Sequence, residues 1–267
     1  MTSFDQNNHR ARKRFGQNFL QDQGVISAIA QAIAPQPAQH IVEIGPGLGA
    51  LTAEIMGKTE KLSLIELDRD LIPHLENRFA KHQNWSILSA DALEVDFSEI
   101  AAGSKIRVIG NLPYNISTPL IFHLLAHADV IEDMHFMLQK EVVSRLTATP
   151  GSGAWGRLGI MVQYFCDTQW LIEVPPEAFD PAPKVDSAVV RLRPRPAPLV
   201  ANNLKDLEMV VKTAFSQRRK TLRNTLKSLF NADQLIALDI DPGARAESLS
   251  MEDYIRLANN YSSRSLQ

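Results

Sequence analysis

The sequence predicts an α/β protein: an open, mostly parallel sheet covered by helices, followed by a small all-helical domain. Short β-branched runs alternate with helical stretches from about residue 24, a pattern that buries a parallel sheet between layers of helices. The prolines of Arg193 Pro194 Arg195 Pro196 Ala197 Pro198 interrupt the alternation, because each removes a backbone donor and fixes φ. Beyond them, apolar residues recur at helical spacing.

Taken in order, Val25 to Ala34 reads as a helix and His40 to Ile44 as a buried strand, followed past Gly49 by a second helix. Leu62 to Leu67 and Leu71 to Lys81 repeat the strand and helix, Trp85 to Leu88 is a third strand, and Ile106 to Ile109 is a fourth. A helix over Thr118 to Ala128, a strand over Met134 to Leu138 and a helix over Glu141 to Thr147 continue the pattern. Ile160 to Phe165 and Ser187 to Leu192 read as strands without a full crossover helix between them, which an antiparallel addition to one edge explains. In the tail, Leu207, Val210, Val211, Ala214, Phe215, Leu222, Leu226 and Leu229 lie at helical spacing, and Ile255 and Leu257 mark another helix. The expected organisation is a basic arm over residues 1–22, a main domain over 23–195 and a helical domain over 199–267.

With 45% hydrophobic and 22% charged residues in 267, the chain reads as an ordinary soluble protein with a full core. No apolar run approaches the roughly 20 residues a membrane span needs, and the polar, basic opening stretch lacks a signal core; a cytoplasmic location is expected. The single cysteine, Cys166, excludes an internal disulfide and a cysteine-cluster metal site, and reads as a small buried hydrophobe. His123 and His127 stand four apart without a carboxylate motif and read as structural or solvent-facing, so no metal is expected. The net charge of −2 conceals a basic stretch from Lys184 to Lys227 and another at Arg10, Arg12, Lys13 and Arg14. Such segments suit a local polyanion site, with a solvated helix face as the alternative.

The densest chemistry lies in Asn111, Leu112, Pro113 and Tyr114, at the carboxyl end of the fourth strand, where ligands bind in open α/β sheets. An amide, two carbonyls without local partners and an aromatic ring suit holding an adenine by its amino group; the alternative is a turn that merely closes a strand. Glu43 Ile44 Gly45 Pro46 Gly47 Leu48 Gly49 places a glycine-rich turn between the first strand and a helix, where backbone can approach a nucleotide-like ligand. Its third glycine comes one residue early for the dinucleotide fingerprint, which disfavours a nicotinamide oxidoreductase, as does the absence of a hydride-handling residue. Glu66, about 20 residues on, suits a ribose diol, and Asp91, at the end of the third strand, suits an exocyclic amine.

Arg12 to Leu20 (RKRFGQNFL), Glu43 to Gly49 (EIGPGLG), Ile65 to Asp68 (IELD), Gly110 to Thr118 (GNLPYNIST), Phe179 to Val189 (FDPAPKVDSAV) and Phe215 to Arg223 (FSQRRKTLR) resemble the KsgA family of ribosomal RNA adenine dimethyltransferases. The resemblance implies a Rossmann-like S-adenosylmethionine-dependent methyltransferase sheet with an antiparallel final strand and a helical RNA-binding tail. It also implies double N6-methylation of two adjacent adenosines in a hairpin near the 3′ end of small-subunit (16S) ribosomal RNA, with a role in subunit biogenesis. Carried over, the cofactor residues are Asn18, Leu20, Gly45, Glu66, Asp91 and Asn111, with Gly47 in the same turn. Asn111, Leu112 and Pro113 with Tyr114 and Phe179 form the catalytic group, and Phe15 is a further aromatic candidate around the target base. Arg12, Lys13, Arg14, Arg218, Arg219, Lys220 and Arg223 are the expected RNA contacts, on a protein expected to be a monomer. Two other functions compete: dimethylation of large-subunit RNA of the antibiotic-resistance type, and a non-catalytic assembly or transcription factor that retains the fold.

Overall fold

The computed structural model describes residues 18–113, 115–196 and 200–265. The predicted functional residues Arg12, Lys13, Arg14, Phe15 and Tyr114 lie outside the described residues. The elements follow as β1 (Phe19–Leu20), α1 (Gln23–Ile33), β2 (His40–Ile44), α2 (Ala50–Ile55), β3 (Lys61–Glu66), α3 (Ile72–Phe79), β4 (Trp85–Ser89), α4 (Phe97–Ala101), β5 (Ile106–Asn111), α5 (Ser117–Leu125) and β6 (Ile131–Gln139). After these come α6 (Lys140–Leu146), α7 (Arg157–Phe165), β7 (Cys166–Val174), β8 (Phe179–Asp180), β9 (Ser187–Pro194), α8 (Leu204–Ala214), α9 (Leu222–Thr225), α10 (Ala232–Ile236) and α11 (Met251–Ser265).

The main sheet has seven strands in the order β4-β3-β2-β5-β6-β9-β7. Strands β2 to β6 pair in parallel, and β9 joins β6 antiparallel, with Phe136 opposite Val190. The parallel strands become apolar runs because helices cover the sheet: Ile41, Val42, Leu64, Val108 and Ile109 are all fully buried. On one side Ile26, Ile29 and Ile33 of α1 join a core with Ile41, Ile109, Met137 and Val189. The helix begins where Asp22 accepts the Val25 N–H at 2.9 Å, satisfying one of the donors a helix start leaves over. Strands β2 and β5 pass so closely that a Cβ at Gly110 would lie 2.5 Å from the Ile44 carbonyl oxygen, which reserves that position for glycine.

By its contacts the chain divides into two compact units: residues up to Val143 with Gln169–Pro194, and Ser144–Thr168 with the residues from Arg195 on. The stretch 144–168, read from sequence as part of the main domain, thus groups with the helical tail. Ile160 to Phe165 is the last part of helix α7 and not a strand; β7 starts at Cys166. An unbroken apolar run serves a buried helix as well as a buried strand, and here a core of Trp155, Ile160, Tyr164, Leu207, Val210, Leu222, Tyr254 and Leu257 surrounds it. Helices α6 and α7 approach so closely that a Cβ at Gly159 would lie 2.4 Å from the Arg145 carbonyl oxygen. Two hydrogen bonds close this core: Trp155 Nε1 donates to the Leu249 carbonyl at 2.9 Å, and the Tyr254 hydroxyl to the Ala246 carbonyl at 2.6 Å. Cys166 is buried, and burial pushes its thiol up to about 12, so it stays protonated. His123 and His127 have structural partners, the Val95 carbonyl at 2.8 Å and the Ser98 hydroxyl at 3.1 Å. Among the described residues, no helix is long and apolar enough to cross a membrane.

Candidate active site

Because β2, β3, β4 and β5 run parallel, their carboxyl ends open on one side of the sheet, with Ile44 beside both Ile65 and Gly110 and Glu66 beside Ser89. A cavity of about 360 Å³ occupies that end, lined by Asn18, Leu20, Gly45, Gly47, Glu66, Asp91, Asn111, Leu112, Pro113 and Phe179 among others. The glycine turn leaves β2 through a bond from the Gly45 N–H to the Ile65 carbonyl at 2.9 Å. Gly45, Gly47 and Gly49 have φ of 65°, 59° and 78°, a left-handed region that side chains rarely adopt.

Glu66 is buried at the end of β3 and accepts the Gly47 N–H at 3.3 Å and the Asp68 N–H at 2.8 Å. Burial raises its pKa, and those N–H bonds partly oppose the shift. A carboxylate so desolvated gains from ligand hydroxyls that donate to it. Asp91, just past β4, accepts the Leu93 N–H at 3.0 Å, which fixes its side chain at the cavity wall.

At the end of β5 the Asn111 side chain donates from Nδ2 to the Asn18 backbone carbonyl at 3.3 Å, which assigns its oxygen to the opposite side of the amide. Leu112 is buried, and its N–H reaches the Met137 carbonyl at 3.2 Å. The expectation of two carbonyls without local partners needs correcting: the Pro113 carbonyl accepts the Ile116 N–H at 3.2 Å, closing the turn into α5. No described residue donates to the Leu112 carbonyl. Phe179 enters the cavity from β8, which pairs antiparallel with β1 so that Leu20 faces Phe179 and Phe19 faces Asp180.

Of the titratable residues of the cavity wall, His135, Glu43 and Asp68 were given no role by the sequence. His135 is buried on β6, and burial lowers its pKa to about 4, so its ring is neutral. Its only sequence signal is the i, i+2 spacing from Asp133 within a strand. Glu43 is buried at the end of β2 and accepts the Thr52 hydroxyl at 2.7 Å; burial lifts its pKa to about 7. The folded state therefore holds this proton more tightly than the unfolded chain does. The contribution is full below the ordinary carboxylate value of 4.5, is lost as pH rises to about 7, and is flat beyond. Glu43→Gln keeps an acceptor for Thr52 and removes the ionisation. Its stability relative to wild type, from urea unfolding, is expected to rise between pH 4.5 and 7 by a few kcal/mol, about 3 at most. A difference independent of pH would refute the buried ionisation.

In the other unit the basic run divides by role. Arg218 donates to the Gly153 carbonyl at 2.7 Å and lies 3.9 Å from Glu247, so it also ties its own unit together. Arg219, Lys220 and Arg223 are exposed.

An open sheet with an antiparallel strand beside β6, a glycine turn and carboxylates on adjoining strand ends define a methyltransferase. The family model of the ribosomal RNA adenine dimethylases matches residues 8–263, and the chain belongs to that family. It is 58% identical over 253 residues to the ribosomal RNA small subunit methyltransferase A of Pseudomonas aeruginosa, covering 94% of each chain. It is 57% identical over 252 residues to the protein of that name from Marinobacter nauticus, covering 94% of this chain and 91% of the other. Among solved structures, it is similar to a dimethyladenosine transferase from Plasmodium falciparum, with a TM-score of 0.81 and 26% identity over 92% of this chain and 98% of that one. The 23S rRNA methyltransferase ErmE has a TM-score of 0.74 and 26% identity over 92% of this chain and all (100%) of its own.

Proposed function

We propose that this protein transfers methyl groups from S-adenosylmethionine to N6 of two adjacent adenosines in a hairpin near the 3′ end of 16S ribosomal RNA, each methylated twice, during small-subunit biogenesis in the cytoplasm. One observation carries the reading: the Asn111 amide is held by the Asn18 carbonyl beside the Leu112 carbonyl, to which no described residue donates, in the same cavity as Glu66 and Asp91. The small-subunit assignment draws on the relatives of that name, 57% and 58% identical, against 26% for the 23S enzyme.

The residues present fit the methyl donor. Buried Glu66 suits the two hydroxyls of a ribose, Asp91 an exocyclic amine, and Gly45 of the glycine turn leaves room at the cavity where a side chain would stand. Leu20 of β1 and Asn18 just before it line the same cavity. When bound, the sulfonium supplies a methyl group that is already electrophilic, so the protein's task is to aim a weak nucleophile. The adenine N6 lone pair is delocalised into its ring. The Asn111 Oδ1 and the Leu112 carbonyl accept its two N–H bonds, which favours the nitrogen geometry in which the lone pair is available and positive charge develops. After the first methylation one N–H remains, and one acceptor suffices for the second. Phe179 and Tyr114 offer stacking faces to a base withdrawn from its helix, worth about 1 to 3 kcal/mol each.

The deciding experiment is methyl transfer from labelled S-adenosylmethionine to small ribosomal subunits lacking the modification, followed by nucleoside analysis. N6,N6-dimethyladenosine in small-subunit RNA is expected; label in large-subunit RNA instead would overturn the substrate. Arg12, Lys13, Arg14 and the run from Arg218 to Arg223 supply phosphate contacts in this reading, leaving discrimination to RNA shape and the extruded bases. Replacing exposed Arg219, Lys220 and Arg223 by alanine should reduce the slope of log affinity against log salt for subunit binding by roughly one per lost phosphate contact. An unchanged slope would make this run a solvated face.

A further inference from the structure

The amide of Asn111 has two orientations of similar shape and opposite chemistry: one presents an acceptor to the substrate amine, the other a donor. The Asn18 carbonyl selects between them, since it receives Nδ2 at 3.3 Å, whereas the flipped amide would set two oxygens against each other. That carbonyl immediately precedes Phe19 in the chain, so whatever fixes Phe19 fixes the selector.

On its carboxyl side, β1 is anchored by its pairing with β8 and by the N–H groups of Gln21 and Asp22, which reach the Ala178 carbonyl at 2.8 and 3.2 Å. Phe19 itself pairs with Asp180 of β8, and its side chain adds a further anchor. Its ring lies over Gly47, where an added Cβ would be 3.2 Å from Cδ1 and 3.3 Å from Cε1. Gly47 in turn donates its N–H to Glu66 at 3.3 Å. A continuous set of contacts therefore runs from Glu66 through Gly47 and the Phe19 ring to the Asn18 carbonyl and the Asn111 amide. We infer that Phe19 is a positioning residue for methyl transfer: seated on the glycine turn, it holds the Asn18 carbonyl where it orients the Asn111 amide with its oxygen toward the target amine. The inference rests on the proposed role of Asn111. It adds that the arm acts on the chemistry through its backbone, and that the cofactor turn and the target-base site are joined through one aromatic ring.

The test is a double-mutant cycle under single-turnover conditions, with the full-length protein and unmethylated small subunits. Phe19→Ala is expected to slow methyl transfer about ten- to a hundredfold, the scale of a displaced reactive group, with a smaller change in the Kd of S-adenosylmethionine. Phe19→Leu should restore most of the rate, because an apolar side chain again rests on Gly47. In the Asn111→Ala background Phe19→Ala should cost nothing further, since Phe19 acts through that amide. Selective ¹⁵N-asparagine labelling supplies a readout independent of turnover: hydrogen exchange of the Asn111 side-chain amide should quicken in Phe19→Ala and return toward wild type in Phe19→Leu. Equal rate losses in both backgrounds, or an unchanged amide exchange, would overturn the role of Phe19. Wild-type turnover in Asn111→Ala alone would overturn the functional reading itself. Full loss there with an unaffected Phe19→Ala would remove only Phe19 from it.

Discussion

Asn111→Ala is expected to reduce methyl transfer by about a hundredfold or more, the cost of removing a preorganised polar group from a developing charge, while the Kd of S-adenosylmethionine changes only a few-fold. The asymmetry follows from geometry. The main chain of Asn111 remains the last residue of β5, paired with Met137, so the cavity wall and the Leu112 bond to the Met137 carbonyl survive the truncation. What disappears is the acceptor oriented by Asn18. The target amine then keeps only the Leu112 carbonyl, and an amine held at one N–H can turn its lone pair away from the methyl group. Isothermal titration with the cofactor and single-turnover methylation of small subunits separate the two quantities. Comparable losses in both would mean that Asn111 serves cofactor binding and has no separate part in the chemistry.

The parallel half of the sheet was legible because burial on both faces leaves little choice of residue. His40–Ile44 forms the strand its β-branched run predicts, and Glu66, Asp91 and Asn111 follow from it, since parallel strands bring successive carboxyl ends together. Elements defined by distant partners were not legible. Phe19–Leu20 and Phe179–Asp180 are too short for any periodicity and exist as strands only by pairing with each other. The orientation of Asn111, set by the carbonyl of Asn18, was hidden for the same reason, as was the bond that occupies the Pro113 carbonyl. Charge was legible along the chain and not in its pairing. Of the bases between Lys184 and Lys227, Arg191 lies 3.5 Å from Asp133, Arg195 lies 2.9 Å from Asp167 and Arg218 holds the Gly153 carbonyl. Composition cannot separate such partnered cations from the exposed Arg219, Lys220 and Arg223.

Asp133→Ala is expected to destabilise the sheet by about 3 to 5 kcal/mol, the usual cost of stranding a buried charge. Arg107 and Asp133 meet through Nε to Oδ1 at 2.7 Å and Nη2 to Oδ2 at 3.0 Å, with 7% and 5% of their side chains exposed. Arg107 also donates to Gln39 at 2.9 Å, and His135 Nδ1 lies 3.6 Å from Asp133 with no hydrogen-bond partner among the described residues. The pair sits where the β5 and β6 register shifts: Ile106 faces Ile131, but Arg107 faces Asp133. A one-residue bulge reverses the facing of every later side chain. This one brings Asp133 to Arg107 and, four pairs on, Met137 to Asn111. If the pair is costly chiefly when broken, an Arg107→Met, Asp133→Leu double variant should recover most of the loss, because apolar residues of similar size replace a buried pair at little cost. Urea unfolding of the single and double variants measures this. A single-variant loss below about 1 kcal/mol, the range of an exposed pair, would show that water reaches Arg107 and that the bulge is pinned by other contacts.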